Sequence, residues 1–106
     1  MDSKIQNIIQ DLTNRIVKLV NPEKIILFGS SVSGDFNENS DLDVLVIKSG
    51  NIHRRNLAML IYRGLFGLGR SVDIIVAKPE DIENSKDSPA LFLYDIYNSG
   101  KVIYAQ

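Results

Sequence analysis

Three aspartates and one Gly-Ser pair are the residues of this 106-residue chain whose types and spacing could do chemistry. Asp41 and Asp43 stand two positions apart where the apolar stretch Asp41 to Lys48 begins, and its Leu, Val and Ile predict a strand. A strand puts alternate side chains on one face, so the two carboxylates lie close together. Like charges at that range repel unless a cation, basic groups or water offsets them. No Lys or Arg adjoins the pair in sequence. A hard divalent cation such as Mg²⁺, which prefers oxygen ligands and keeps several waters, is the natural counterpart. Asp73, between Val72 and Ile74, is a carboxylate inside another apolar stretch, where burial without a partner is costly. If its strand lies beside that of Asp41, the three carboxylates converge. Such a set can hold two metal ions that clamp the attacking and leaving oxygens of an in-line phosphoryl displacement.

Gly29-Ser30 follows the apolar run Lys24 to Phe28 at once. A strand feeding a short helical turn there would aim backbone N–H groups and the Ser30 hydroxyl at a phosphate, with Gly29 permitting close approach. Each feature also has a plainer reading: an ordinary strand-to-helix turn for Gly29-Ser30, a solvated strand entrance for Asp41 and Asp43, an edge-strand residue for Asp73. Their order and spacing together favour a site.

The elements that would position these residues follow from periodicity. Ile5, Ile8, Ile9, Leu12, Ile16, Leu19 and Val20 recur at helical spacing, with Ser3 and Gln6 as a capping box, and Asn21-Pro22 ends that helix. Lys24 to Phe28 is the first strand, Ser30 to Gly34 a single helical turn and Asp41 to Lys48 the second strand. A second long helix covers roughly Ile52 to Phe66, stopped by Gly67 and Gly69, and Val72 to Val76 is the third strand. Pro79 and Pro89 can each open a helix, the latter capped by Ser88. Gly100 closes the last one, and Val102 to Tyr104 forms a short edge strand. This order predicts a single α/β (α+β) domain over residues 1–106, a small mixed sheet with helices packed on one face. The first two strands suit a hairpin-like pairing, and the third returns by a crossover.

Phe28-Gly29-Ser30, ten intervening residues and Asp41-Leu42-Asp43, then Val72-Asp73, resemble the signature of the DNA-polymerase-β-type nucleotidyltransferase superfamily, and specifically its small MNT (minimal nucleotidyltransferase) members. The resemblance covers most of the chain. It implies a nucleotidyltransferase fold and transfer of a nucleoside monophosphate, usually AMP from ATP, to an acceptor hydroxyl. By the same resemblance Gly29 and Ser30 contact the triphosphate, Asp41 and Asp43 bind Mg²⁺, two ions in all, and Asp73 ligates one ion and helps deprotonate the acceptor. Small MNT proteins commonly pair with a helical HEPN partner as toxin–antitoxin modules, and some adenylylate a tyrosine of it. This chain would then be the antitoxin. It departs from the pattern in carrying Ser31 and Ser33 where many members have Arg, which removes positive charge near the phosphates. Arg54, Arg55, Arg63 and Lys48 are the candidates to compensate.

That departure sustains a rival reading, a binding module that neutralises its partner by contact with an idle active site. Transfer to a small molecule is a third, weakened by the lack of an acceptor-binding domain unless a dimer supplies one, and a homo-oligomer stays open. A net charge of −1 with dispersed Lys and Arg disfavours nucleic acid as a partner. The absence of Cys excludes disulfides and thiolate chemistry and fits a reducing, cytoplasmic setting. No apolar run approaches a membrane span, so solubility is expected. His53 is expected as an exposed residue at a helix start, Arg54-Arg55 as a solvated helix face, and Phe92, Tyr94, Ile96 and Tyr97 as core packing, with a partner interface as the minority alternative.

Overall fold

The structure, a computed structural model, describes residues 3–34, 36–37, 39–88 and 92–106. In chain order its elements are α1 (Ser3–Val20), β1 (Lys24–Phe28), α2 (Ser30–Ser33), β2 (Leu42–Ile47), α3 (Arg54–Gly64), β3 (Val72–Ala77), α4 (Pro79–Ser85), α5 (Phe92–Ser99) and β4 (Lys101–Ala105). The order matches the periodicity, with differences at the ends. β2 begins at Leu42, leaving Asp41 just outside it, and α3 begins at Arg54 because the His53 side chain caps it, accepting the Asn56 N–H at 3.2 Å. The expected helix start at Ser88-Pro89 falls on residues of which 89–91 lie outside the described ones.

The four strands form one sheet in the order β3-β2-β1-β4. β1 pairs antiparallel with β2 and with β4, whereas β2 and β3 are parallel. The hairpin-like pair and the crossover are thus both present, α3 being the crossover helix that a parallel connection requires.

Period-two patterning decides which helix covers which face. Ile25 and Leu27 of β1, Leu42, Val44 and Val46 of β2 and Ile74 and Val76 of β3 share one side with Leu12, Ile16 and Val20 of α1 and Ile61 of α3. The intervening Ile26, Leu45, Ile47 and Ala77 meet Ile82 of α4 and Ile96 of α5 on the other. The two long helices do share one face, and α4 and α5 add a cover on the second. The physical reason is that β1 and β2 are apolar at consecutive positions, and both faces must leave water.

Three polar ties lock this frame. Arg15 of α1 holds Asp11 at 3.0 Å and donates to the carbonyls of Gly64 (3.2 Å) and Phe66 (2.9 Å), placing a cation on the carbonyl end of α3. Arg54 grips Asp81 through two bonds of 2.6 and 2.7 Å, joining the start of α3 to that of α4. Lys24 of β1 donates to the Tyr97 hydroxyl at 2.9 Å and lies 4.8 Å from its ring centre, which ties α5 to the sheet. Ile96 is buried as core, while Phe92 and Tyr94 remain exposed. Among the described residues no helix is long and apolar enough to cross a membrane.

Candidate active site

The candidate site lies at one end of the sheet, where β1 finishes and β2 and β3 begin. The parallel register sets Asp43 directly beside Asp73, and the antiparallel register sets Phe28 opposite Asp43. Asp43 and Asp73 therefore occupy neighbouring strands on one face, as their positions in the apolar stretches suggested. Asp41 is exposed just before β2, Asp43 is half-buried and Asp73 is exposed.

Burial raises the pKa of Asp43 above the usual carboxylate range, and the negative charges of Asp73 and then Asp41 push it further in the same direction. The Asp73 carboxyl is also within hydrogen-bonding reach and adds to the rise. Among the described residues, every charge that shifts Asp43 is negative. A carboxylate held this way is short of positive charge, and its neighbours offer only oxygen. That is the donor chemistry a hard divalent cation prefers. The set is open rather than closed, for among the described residues no three His, Cys, Asp or Glu side chains come together as a ready metal cage. What the fold brings together is the Asp43–Asp73 pair with Asp41 in electrostatic range. Mg²⁺, which retains several waters and takes only one or two carboxylates from a protein, fits such an open pair.

Gly29 forms the opposite wall. Its φ of 73° lies in the left-handed region, and a Cβ there would run into the Asp43 carboxylate, 3.2 Å from Cγ. Only glycine lets the β1–α2 turn come this near the acidic pair. Within α2 the N–H groups of Val32 and Ser33 return to the Gly29 carbonyl at 3.0 Å each. The N–H groups that open such a turn have no partner inside it. The Ser31 hydroxyl donates to the Phe28 carbonyl at 3.1 Å, so it closes the turn. Beside this turn an open pocket of about 580 Å³ is lined by Phe28, Gly29, Ser30, Val32, Ser33, Ser99 and Gly100. Ser99 and Gly100, at the far end of the chain, were not legible as site neighbours, because only the β1–β4 pairing brings them there.

Of the four cations expected to compensate for the missing arginines, two are engaged elsewhere. Arg54 holds Asp81, and Lys48 donates to the Asn21 carbonyl at 2.9 Å, at the opposite end of β2. Arg55 and Arg63 are exposed on α3. A residue that sequence reasoning missed is Arg70, just ahead of β3. Its Nε donates to the Ser40 carbonyl at 3.1 Å, its Nη2 to the Asn37 carbonyl, and its guanidinium lies 4.5 Å from the Phe36 ring centre. One side chain thus links the approach to Asp73 with the loop that delivers Asp41.

Known proteins agree with this geometry. Residues 4–106 match the family model described as "Polymerase beta, Nucleotidyltransferase". Over 82 residues the chain is 33% identical to a protein of Methanocaldococcus jannaschii named "Putative protein adenylyltransferase", covering 77% of this chain and 78% of that one. A solved structure from Sulfolobus solfataricus, described as a "putative nucleotidyltransferase", superposes with a TM-score of 0.55 at 26% identity, over 79% of this chain and 81% of the other. A toxin–antitoxin structure with AMP-PNP superposes with a TM-score of 0.54 at 25% identity, over 88% and 73% of the two chains. With the carboxylate pair, the glycine turn and the sheet order in place, the chain belongs to the polymerase-β-type nucleotidyltransferase family.

Proposed function

We propose that this chain is a Mg²⁺-dependent nucleotidyltransferase that moves AMP from ATP to a hydroxyl of a partner protein, as the antitoxin beside a helical HEPN-type toxin. The observation that carries this reading is the facing of the Gly29 backbone and the Asp43 carboxylate, with Asp73 in register on the next strand. A glycine turn with free backbone N–H groups beside paired carboxylates is the chemistry that a metal-bound triphosphate needs. The names of the adenylyltransferase relative and of the AMP-PNP-bound toxin–antitoxin neighbour point the same way.

In this mechanism Asp41, Asp43 and Asp73 hold the Mg²⁺ ions, which when bound neutralise phosphate charge and polarise the transferring phosphoryl group. The Gly29-Ser30 backbone and the Ser30 hydroxyl orient the triphosphate. Asp73, the outermost of the strand-borne pair, accepts the proton of the acceptor hydroxyl as its oxygen bonds to the α-phosphorus and pyrophosphate leaves. The partner supplies that hydroxyl.

The test is transfer of label from α-labelled ATP to the co-purified partner in the presence of Mg²⁺. Asp41→Asn and Asp43→Asn are each expected to lower it by about 10³-fold or more, the scale of several kcal/mol of lost charge stabilisation. Transfer that persists in both variants sinks the mechanism. The second reading, neutralisation by contact alone, draws on the Ser31 hydroxyl being spent on the Phe28 carbonyl and on the charges that shift Asp43 all being negative among the described residues. Toxin neutralisation that survives replacement of all three aspartates by Asn favours it.

A further inference from the structure

We propose that the outer face of α3 is the docking surface for a partner protein, and that its occupant is an amphipathic helix with an acidic rim. Met59 and Tyr62, three positions apart, share one side of α3, and Phe66 lies in the turn just beyond the end of the helix. All three are exposed, at 44%, 44% and 91%. A phenylalanine that is almost wholly in water, at the end of a helix that exposes two more large side chains, marks a surface awaiting cover. The buried face of α3, built on Ile61 and Leu65, is already committed to the core.

Charge selects the occupant. The helix carries Arg54, Arg55 and Arg63 and no acidic residue. Arg54 is taken by Asp81, whereas Arg55 and Arg63 form no ion pair among the described residues. Arg55 continues that apolar side at its N-terminal end, and Arg63 flanks it. An apolar row bordered by unpaired arginines is complementary to an apolar row bordered by carboxylates. A strand is a poorer occupant, because the neighbouring edge of β3 is obstructed: the Ile74 N–H already donates to the Tyr62 hydroxyl at 2.8 Å. A bilayer or nucleic acid would call for a broader basic field than two arginines on a chain of net charge −1.

The surface lies over the sheet face opposite to that of Asp43 and Asp73, since α3 packs with Ile74 and Val76 whereas Asp73 shares its side with Ile75 and Ala77 by alternation. Tyr62 touches β3 at Ile74, the residue after Asp73, and the Phe66 end of α3 leads within a few residues into Val72. Identifying the docked protein as the acceptor rests on the function proposed above; the docking stands on the surface alone.

The experiment places a photo-crosslinking phenylalanine analogue at Phe66 in the full chain, expressed in its native cell, with the same analogue at Asn14 on α1 as control. Crosslinks from position 66 are expected to fall on one protein, within a helical segment bearing Asp or Glu, and to be absent from position 14. Arg55→Glu with Arg63→Glu should reduce the crosslink at least about tenfold, and replacing the partner's acidic residues by Lys should restore it. Unchanged melting temperature and Mn²⁺ binding in the double variant separate lost docking from lost folding. Asp43→Asn should leave the crosslink intact, so a failed transfer mechanism and a failed docking surface give different results. Crosslinks to lipid or RNA, crosslinks scattered over many proteins, or indifference to the charge reversal would each overturn the proposal.

Discussion

Gly29 and Asp43 stand so close that the missing Cβ of the one defines the position of the carboxylate of the other. A Cβ would lie 3.2 Å from the Asp43 Cγ and nearer still to its Oδ2, on a backbone whose φ is already 73°. Gly29→Ala must strain that backbone, displace the carboxylate, or both. A non-glycine residue held in such a conformation costs about 1–3 kcal/mol. The variant is expected to melt lower and to bind Mn²⁺ and ATP more weakly. Gly34→Ala, at a φ of 95° with open space around it, should show the melting effect without the binding effect. Equal binding by both variants would mean that the Gly29–Asp43 contact has no part in the site.

Asp81 gives the fold a defined acid sensitivity. Its Oδ2 accepts from Arg54 Nε and from the Lys78 N–H at 2.8 Å, joining α3 to the first turn of α4. The Arg54 hydrogen bonds hold its carboxyl below the ordinary value of 3.8. A carboxyl with a depressed folded pKa stabilises the fold above its unfolded value, and that contribution is lost as pH falls through the folded one. Asp81→Asn should therefore cost about 1 kcal/mol at pH 7, the scale of a cap and a partly exposed ion pair. Urea denaturation of both proteins should show the difference shrinking below pH 3.8. A difference that stays constant down to acid would contradict this account.

The acidic pair was legible in the sequence because both halves of it are local. Two aspartates two apart in an apolar run, and a third inside another, each break a strand pattern where they stand, and one short parallel pairing suffices to join them. The second cover of helices was not legible. It depends on Ile26, Leu45 and Ile47 needing shelter on the face opposite α1 and α3, and runs of consecutive apolar residues do not say how that shelter is supplied. The ties of Arg70, and the place beside the site of Gly100, read in the sequence only as a helix stop, were not legible for a related reason. Their partners lie on other segments, which no local pattern marks.

Two glycines that look alike in sequence should respond to alanine in opposite ways. A Cβ at Gly100 would lie 2.7 Å from the carbonyl oxygens of both Ile96 and Leu27, so backbone on two sides would have to move. Gly100→Ala is expected to lose about 1–3 kcal/mol, as other forced insertions into packed regions do. The nearest atoms to a Cβ at Gly64 would all belong to the Leu19 side chain, which is partly exposed. There the gain in helix propensity, up to about 1 kcal/mol, should offset the adjustment. Thermal melts of the two variants test this, and a Gly64→Ala protein that falls as far as Gly100→Ala would show that the α1–α3 contact is less adaptable than its exposure suggests.

Arg70 should influence catalysis without touching a substrate. Its two hydrogen bonds to the Ser40 and Asn37 carbonyls and its stack on Phe36 fasten the loop that ends in Asp41. That loop is braced further by the Ser40 N–H on the Asn37 carbonyl at 3.1 Å and the Asn37 N–H on the Ser40 hydroxyl at 3.0 Å, so cutting the arginine loosens the loop rather than unfolding it. Arg70→Ala is expected to cost about 1–2 kcal/mol of stability. Its larger effect should be on the transfer rate, since misplacing a ligand by about 1 Å can cost about 10²-fold. Arg70→Lys keeps a cation over Phe36 but presents a single ammonium where the guanidinium spans two carbonyls, so it should fall between alanine and wild type. Because the effect acts through Asp41, kcat should fall and Mn²⁺ binding weaken while KM for ATP changes little. A variant that melts lower yet keeps the wild-type kcat and Mn²⁺ affinity would reduce Arg70 to a purely structural tie.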